Sequence, residues 1–259
     1  MNFVFDLDGT ICFKGQPISD KILGALDDLT EEGHEVIFAS ARPIRDMLPV
    51  INKRFHNKTL IGGNGSLISK GDEIVNSNPF SNREIEAIMQ IIEEFEATYL
   101  IDGEWNYAYT GPDNHPILNN VDPSNLANLV DIKHLTSIVK ILFLSSNNDE
   151  KLLCKLKELG VFINKHSNEN IIDISPKGIN KWSAIKNLEI PQGRYIAFGN
   201  DANDILMFRN AFHTVMIGYH AELALFAKEQ IKLEDDYEQE IVDKLKELSK
   251  IYSMKSYCI

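Results

Sequence analysis

Strand-length apolar runs alternate with stretches of helical period along most of this chain, and the alternation breaks once, in the middle. Alternation of this kind is the pattern of an α/β fold built on a parallel sheet. Phe3, Val4 and Phe5 form a run that is apolar on both faces, as a strand inside such a sheet requires. Ile22, Ala25, Leu26 and Leu29 then recur at helical spacing behind Ser19, a fitting N-cap. Glu35 to Ala39 reads as the next strand, Pro43 sits where the first turn of a helix tolerates it, and Thr59 to Ile61 reads as a third strand. The same grammar returns after Pro176. It predicts a helix over Lys181 to Leu188, strands over Tyr195 to Phe198 and Thr214 to Ile217 with a helix from Ala202 between them, and a charged amphipathic helix over Glu238 to Lys250. Between Asn78 and Ser175 the order differs. A helix (Ile85, Ile88, Ile92), a hairpin across Asp102-Gly103-Glu104, a helix carrying Leu126, Leu129 and Val130, a strand Ile138 to Leu144, a helix Leu152 to Leu159 and a further strand predict an α+β insert with antiparallel pairing. The parallel core is therefore discontinuous in sequence.

A chain of 259 residues, 44% hydrophobic and 25% charged, can bury a full core. Its net charge of -12 would repel a polyphosphate backbone, which argues against nucleic acid as a partner. An anionic small molecule is still compatible, because a bound cation and a few basic side chains reverse the local field inside a cleft. Cys12, Cys154 and Cys258 are far apart and odd in number, which suits a reducing compartment. No run reaches the roughly 18 apolar residues that span a bilayer, so the expectation is a cytoplasmic protein without a membrane partner. The histidines, His34, His56, His115, His134, His166, His213 and His220, never fall at the i, i+4 spacing of a helical metal site.

Chemistry-bearing residues gather at predicted strand ends, where parallel sheets bind ligands. Asp6-Leu7-Asp8-Gly9-Thr10 follows the first strand, and side chains at i and i+2 of an extended segment share a face, so Asp6 and Asp8 are expected to point into one volume. Two carboxylates so close favour a hard divalent cation between them, with magnesium the expected ion. One carboxylate can then attack phosphorus and the other protonate the leaving oxygen, whereas Asp-Gly alone would be an ordinary turn closure. Ser40-Ala41-Arg42 follows the second strand, where a hydroxyl and backbone N–H groups can bind phosphate oxygens; read alone, it is an N-cap serine beside a surface arginine. Lys181 falls in the first turn of its helix, against the helix dipole. Gly199-Asn200-Asp201-Ala202-Asn203-Asp204 ends the strand Tyr195 to Phe198 with more acids and amides than one cap needs.

These elements, in the order DLDGT, SAR, lysine, GNDAND, resemble the haloacid dehalogenase superfamily, specifically its Cof-type phosphatases with a large α/β cap. The resemblance covers nearly the whole chain. It implies a Rossmann-like parallel-sheet core, residues 1–78 and 176–259, interrupted by an α+β cap domain, residues 79–175. It further implies a magnesium-dependent phosphatase of small phosphorylated metabolites, sugar phosphates first. Asp6 would be the nucleophile, Asp8 the general acid and base, Ser40 and Lys181 phosphate ligands, and Asn203 a further phosphate contact, with Ala41 and Arg42 in the same loop. A phosphomutase of similar cap type and a non-catalytic phosphometabolite-binding module are the alternatives. The last motif departs from the family's Gly-Asp-x-x-Asn-Asp, because Asn200 follows Gly199 and the acid comes at Asp201. By position Asn200 should join Asp6 and Asp8 at the metal, by charge Asp201 should, and Asp204 would orient Lys181 or a water. For reading the rest of the substrate, the expected segment is Asp102 to His115, with Trp105, Tyr107 and Tyr109 on one strand face.

Overall fold

A computed structural model describes residues 1–165 and 171–253, so His166 and Cys258 lie outside the described residues. In chain order the elements are β1 (Asn2–Phe5), α1 (Asp20–Glu31), β2 (Glu35–Ala39), α2 (Ile44–Met47), β3 (Thr59–Gly62), β4 (Leu67–Lys70) and β5 (Glu73–Ser77). Next come α3 (Asn82–Glu94), β6 (Thr98–Gly103), β7 (Tyr107–Tyr109), β8 (Ile138–Ser145), α4 (Asp149–Leu159), β9 (Phe162–Lys165) and β10 (Ile172–Ser175). The chain closes with α5 (Lys181–Asn187), β11 (Tyr195–Gly199), α6 (Ile205–Asn210), β12 (His213–Ile217), α7 (Ala221–Ala224), β13 (Glu229–Ile231) and α8 (Tyr237–Tyr252).

The first sheet has the order β13-β12-β11-β1-β2-β3-β4-β5, parallel from β13 through β3. Strand β1 is central and buries both faces. Phe3 and Phe5 pack with Leu26, Leu29 and Leu245 beneath α1 and α8, while Val4 packs with Ala184, Ile185 and Met207 beneath α5 and α6. A phenylalanine buried this fully contributes about 1.5–3 kcal/mol. The parallel reading needs one extension: β4 and β5 add an antiparallel hairpin at the sheet edge beyond β3.

The second sheet, β7-β6-β8-β10-β9, is antiparallel throughout and lies wholly inside the insert. Strand alternation divides its side chains. Ile101, Ile141, Phe143 and Ile174 pack under α3 and α4, whereas Leu100 and Leu142 form the opposite face with Leu144 and Ile171. Asp102, Lys140 and Asp173 have the same parity as this second set, and Asp102 stands opposite Lys140 in the β6–β8 pairing.

Two expectations within the insert are corrected. The residues around Leu126, Leu129 and Val130 form no helix, because Asp122 turns its carboxylate onto the N–H groups of Leu126 and Ala127, and Trp105 Nε1 takes the Leu126 carbonyl. Side-chain caps of this kind compete with the helical ladder. Trp105 also lies before β7, in the turn, and packs against the core of the first sheet, while Tyr107 and Tyr109 pack against the second.

Candidate active site

The site forms where β1 and β11 end side by side. Asp6 N–H still donates to Phe198 O at 2.9 Å, which continues the strand pairing and holds the Asp6 side chain in the sheet's interior. The chain then coils tightly. Leu7 O accepts from the N–H groups of Thr10, Ile11 and Cys12, and Gly9 adopts φ +80°. Glycine suits this backbone angle, and a Cβ there would lie 2.2 Å from Asn200 Nδ2 and displace that side chain.

Around Asp6 the parts converge. Lys181 Nζ donates to Asp6 Oδ1 at 2.5 Å and to Asp204 Oδ1 at 2.7 Å. All three residues are buried. Asn180 caps α5 and sets Lys181 at its first position, while Asp204 Oδ2 accepts from the backbone N–H groups of Asn200 and Asp201. Burial pushes the Asp6 carboxyl up to about 7, opposed by the Lys181 ammonium and reinforced by the charge of Asp204. Burial alone would lower Lys181, but the two carboxylates outweigh it and hold the ammonium above its ordinary range. Asp6 Oδ2, the oxygen turned away from the lysine, lies 2.8 Å from Thr10 Oγ, which is also 3.3 Å from Asn200 Oδ1.

The expected set Asp6, Asp8, Asn200 and Asp201 is not gathered at one point. Because β1 ends at Phe5, Asp8 is on the coil rather than on an extended strand, and it is exposed where Asp6 is buried. Arg42 forks onto both Asp8 oxygens at 2.6 and 2.7 Å. Asp201 caps its own turn, its carboxylate on Ala202 N and 3.4 Å from His220 Nε2. Among the described residues no three His, Cys, Asp or Glu side chains group as a metal cage. The donors that do converge, Asp6 Oδ2 and Asn200 Oδ1, are hard oxygens beside a buried cluster in which two carboxylates outnumber one ammonium, and both features fit a magnesium ion that keeps several waters. Ser40 is buried with its Oγ accepting from Arg42 N–H, and Asn203 Oδ1 is buried without a hydrogen-bond partner among the described residues.

Beside this cluster a cleft of about 510 Å³ opens between the two sheets. Asp8, Ala41 and Arg42 line one wall, and Leu100, Leu142 and Lys140 line the other. Of the segment expected to read the substrate, only Asp102 lines this cleft, and the neighbouring stretch Pro116 to Val121 contributes to its lining along with Pro43, Asp46 and Ile171. Trp105 and His115 are occupied elsewhere, Trp105 on Leu126 O and His115 capping Ile117 N.

The seam between the sheets holds residues that motif reading passed over. Arg45 donates to Asp102 Oδ1 (2.5 Å) and Trp105 O (2.7 Å), and Asp46 Oδ1 accepts from Asp122 N–H at 2.8 Å. Lys140 Nζ donates to Ala41 O at 2.7 Å and lies 3.2 Å from Asp173 Oδ2. A signal was present: single charges interrupt the otherwise apolar strands TYLIDG, IVKILFLS and IDIS, and a buried strand tolerates a charge only where a partner waits.

The sequence profile of the haloacid dehalogenase-like hydrolases matches residues 3–254. A protein of Mycoplasma genitalium named as a phosphatase is 27% identical over 250 residues, 86% of this chain and 89% of that protein. An HMP-PP phosphatase of Enterobacter sp. is 24% identical over 228 residues, 83% of this chain and 82% of that one. A solved structure described as a subclass IIB sugar phosphatase of the same superfamily shares the fold with a TM-score of 0.77 at 18% identity, over 95% of this chain and 98% of that one. A Thermotoga maritima structure does so with a TM-score of 0.74 at 22% identity, over 95% and 96%. With the profile running through nearly its full length, this chain belongs to the haloacid dehalogenase-like hydrolases.

Proposed function

We propose that this protein is a phosphatase that hydrolyses small phosphoric monoesters through a phosphorylated Asp6. One observation carries the reading: Asp6 is buried at the carboxyl end of the central strand, two residues before the cleft-lining Asp8, with one oxygen held by Lys181 and the other accepting from the Thr10 hydroxyl. Once the Thr10 hydroxyl turns away, Asp6 Oδ2 forms a bond to phosphorus as the ester P–O bond breaks, and the departing oxygen takes a proton. Water then attacks phosphorus, releases phosphate and restores the Asp6 carboxylate. Lys181 and Ser40 hold phosphoryl oxygens, with Asn203 a further contact. Asp8 supplies the proton once its fork with Arg42 opens, and Arg42 is then free to turn to the phosphate. Asp6 and Asn200 would hold magnesium, which when bound supplies positive charge to the phosphoryl oxygens. Residues 79–175 act as a cap over the core of 1–78 and 176–259, limiting water and selecting the leaving group. The subclass IIB structure and the HMP-PP phosphatases make sugar phosphates and HMP-PP the first compounds to test. Among the described residues no helix is long and apolar enough to cross a membrane, which supports a cytoplasmic site of action.

The test is phosphate release from a panel of phosphate monoesters with magnesium, repeated with a chelator and with Asp6→Asn. Release that stops in both supports the reading. Release indifferent to Asp6→Asn overturns it, and conversion of a hexose 1-phosphate to its 6-phosphate without release would make the protein a mutase.

A further inference from the structure

In the segment Ser40-Ala41-Arg42 every carbonyl is tied, but not by the same part of the molecule. Ser40 O accepts from Asn64 N–H at 3.0 Å and Arg42 O from Gly63 N–H at 2.7 Å, both from the turn after β3. The middle carbonyl, Ala41 O, is held instead across the seam by Lys140 Nζ at 2.7 Å. Lys140 is itself placed: it is 5% exposed on β8 and stands 3.2 Å from Asp173 Oδ2, which accepts from Asn64 Nδ2 at 3.0 Å. These contacts close a ring that runs from Ala41 O through Lys140, Asp173 and Asn64 back to Ser40 O, and it crosses between the two sheets twice.

A trans peptide is planar, with its C=O and N–H pointing in opposite directions. Fixing Ala41 O therefore fixes Arg42 N–H, the group that donates to Ser40 Oγ at 3.1 Å. We infer that Lys140 is a positioning residue: by holding the Ala41 carbonyl it sets the Ala41–Arg42 peptide plane, so docking of the cap completes the phosphate-binding loop of the core. This rests on the phosphatase reading above. The ammonium acts through the peptide and touches no reacting atom, so its effect is on the phosphoryl group and is blind to what the phosphate is attached to. The Lys140 stem lines the cleft, but its ammonium is turned onto Ala41 O and Asp173; a lysine whose ammonium read the leaving group would behave in the opposite way.

The experiment compares the parent with Lys140→Met, Lys140→Arg and the charge-balanced double variant Lys140→Met/Asp173→Asn, the last guarding against simple misfolding of the first. The readouts are kcat/KM for 4-nitrophenyl phosphate, kcat/KM for a hexose phosphate, and inhibition by inorganic phosphate, all with magnesium. The expected result is a loss of roughly tenfold, the scale of one charge-assisted hydrogen bond. It should be equal for the two esters, parallel in phosphate affinity, and largely restored by Lys140→Arg. Combined with Ser40→Ala, the loss should be less than additive, since both act on the Arg42 N–H. A loss confined to the hexose phosphate with phosphate inhibition unchanged would overturn the proposal, as would a folded double variant equal to the parent in all three readouts. A parent that neither hydrolyses these esters nor binds phosphate would instead overturn the phosphatase reading, and the proposal with it.

Discussion

Lys181 lies between Asp6 and Asp204 at the end of the central strand, and Arg45 lies between Asp46 and Asp102 at the seam. Each is one buried cation with two carboxylates, yet the surroundings differ. Lysine is a point charge and leaves Asp6 Oδ2 facing a hydroxyl that can rotate away. Arginine is a rigid fork that at the seam also donates to Trp105 O, while Asp46 Oδ1 accepts from the Asp122 N–H and the Tyr107 ring lies 4.8 Å from the guanidinium. The comparison separates two uses of buried charge: a carboxylate with one oxygen on an exchangeable partner is available for chemistry, and one with both oxygens held, as in Asp46, ties parts together.

The sharpest way to break that distinction is Asp6→Asn. Turnover should fall by about 10³-fold or more, about 4 kcal/mol in barrier. The thermal midpoint should hold, because Lys181 keeps Asp204 as a partner. Activity within tenfold of the parent would remove the contrast altogether. The matching change at the seam is Arg45→Met, which strands two buried carboxylates and should cost about 3–5 kcal/mol in urea unfolding. A loss below about 1 kcal/mol, the scale of a surface pair, would show that the seam is solvated in solution.

A third prediction uses pH. Burial pushes Asp46 up to about 6, against the pull of Arg45 and with the charge of Asp102 adding. The folded state thus binds this proton more tightly than the unfolded chain, whose aspartates titrate near 3.9. The stability it contributes is full below about pH 4 and is lost as pH rises through about 6, by up to about 3 kcal/mol. Asp46→Asn keeps an oxygen for Asp122 N–H but has no proton to lose. Its stability relative to the parent should therefore improve between pH 4 and 7, and a constant difference would count against a strained carboxylate at the seam. The smallest effect concerns the metal. Asn200→Asp should lower the magnesium concentration for half-activity several-fold, whereas Asp201→Asn should leave it unchanged, since asparagine caps the turn as well as aspartate does. The reverse pattern would move the metal site to Asp201.

What could be read in the sequence follows the reach of local rules. Strands buried on both faces, helices with side-chain caps and the residues at strand ends were legible because each is specified within a few positions: Phe3 to Phe5, Ser19 capping α1, Lys181 in the first turn of α5. The α/β class and the antiparallel insert followed from the order of such pieces. Two kinds of feature did not. The helix expected at Leu126 rested on apolar spacing alone, which a single carboxylate at Asp122 overrode by offering the backbone another partner. The seam pairs Arg45–Asp102 and Lys140–Asp173 depend on which strand faces which loop, a tertiary fact that spacing does not carry, although each lone charge in an apolar strand marked the place. Asp6 and Asp8 show the limit most clearly: their two-residue spacing implies a shared face only while the strand continues, and the coil at Leu7 sends Asp8 to Arg42.

The contact of Gly9 with Asn200 has a bearing on how the chain is made. Gly9 and Thr10 meet Asn200, which lies 190 positions beyond Thr10, and β1 receives its second sheet neighbour, β11, only when that later segment arrives. A ribosome adds about 5–20 residues per second, so on the order of ten to forty seconds pass between emergence of the nucleophile and of the strand that flanks it. Throughout that interval the central strand β1 has one open hydrogen-bonding edge, a template for pairing with other nascent chains. The insert is synthesised and able to form its own antiparallel sheet during the wait, so the newborn chain is most exposed to aggregation at its beginning rather than its end.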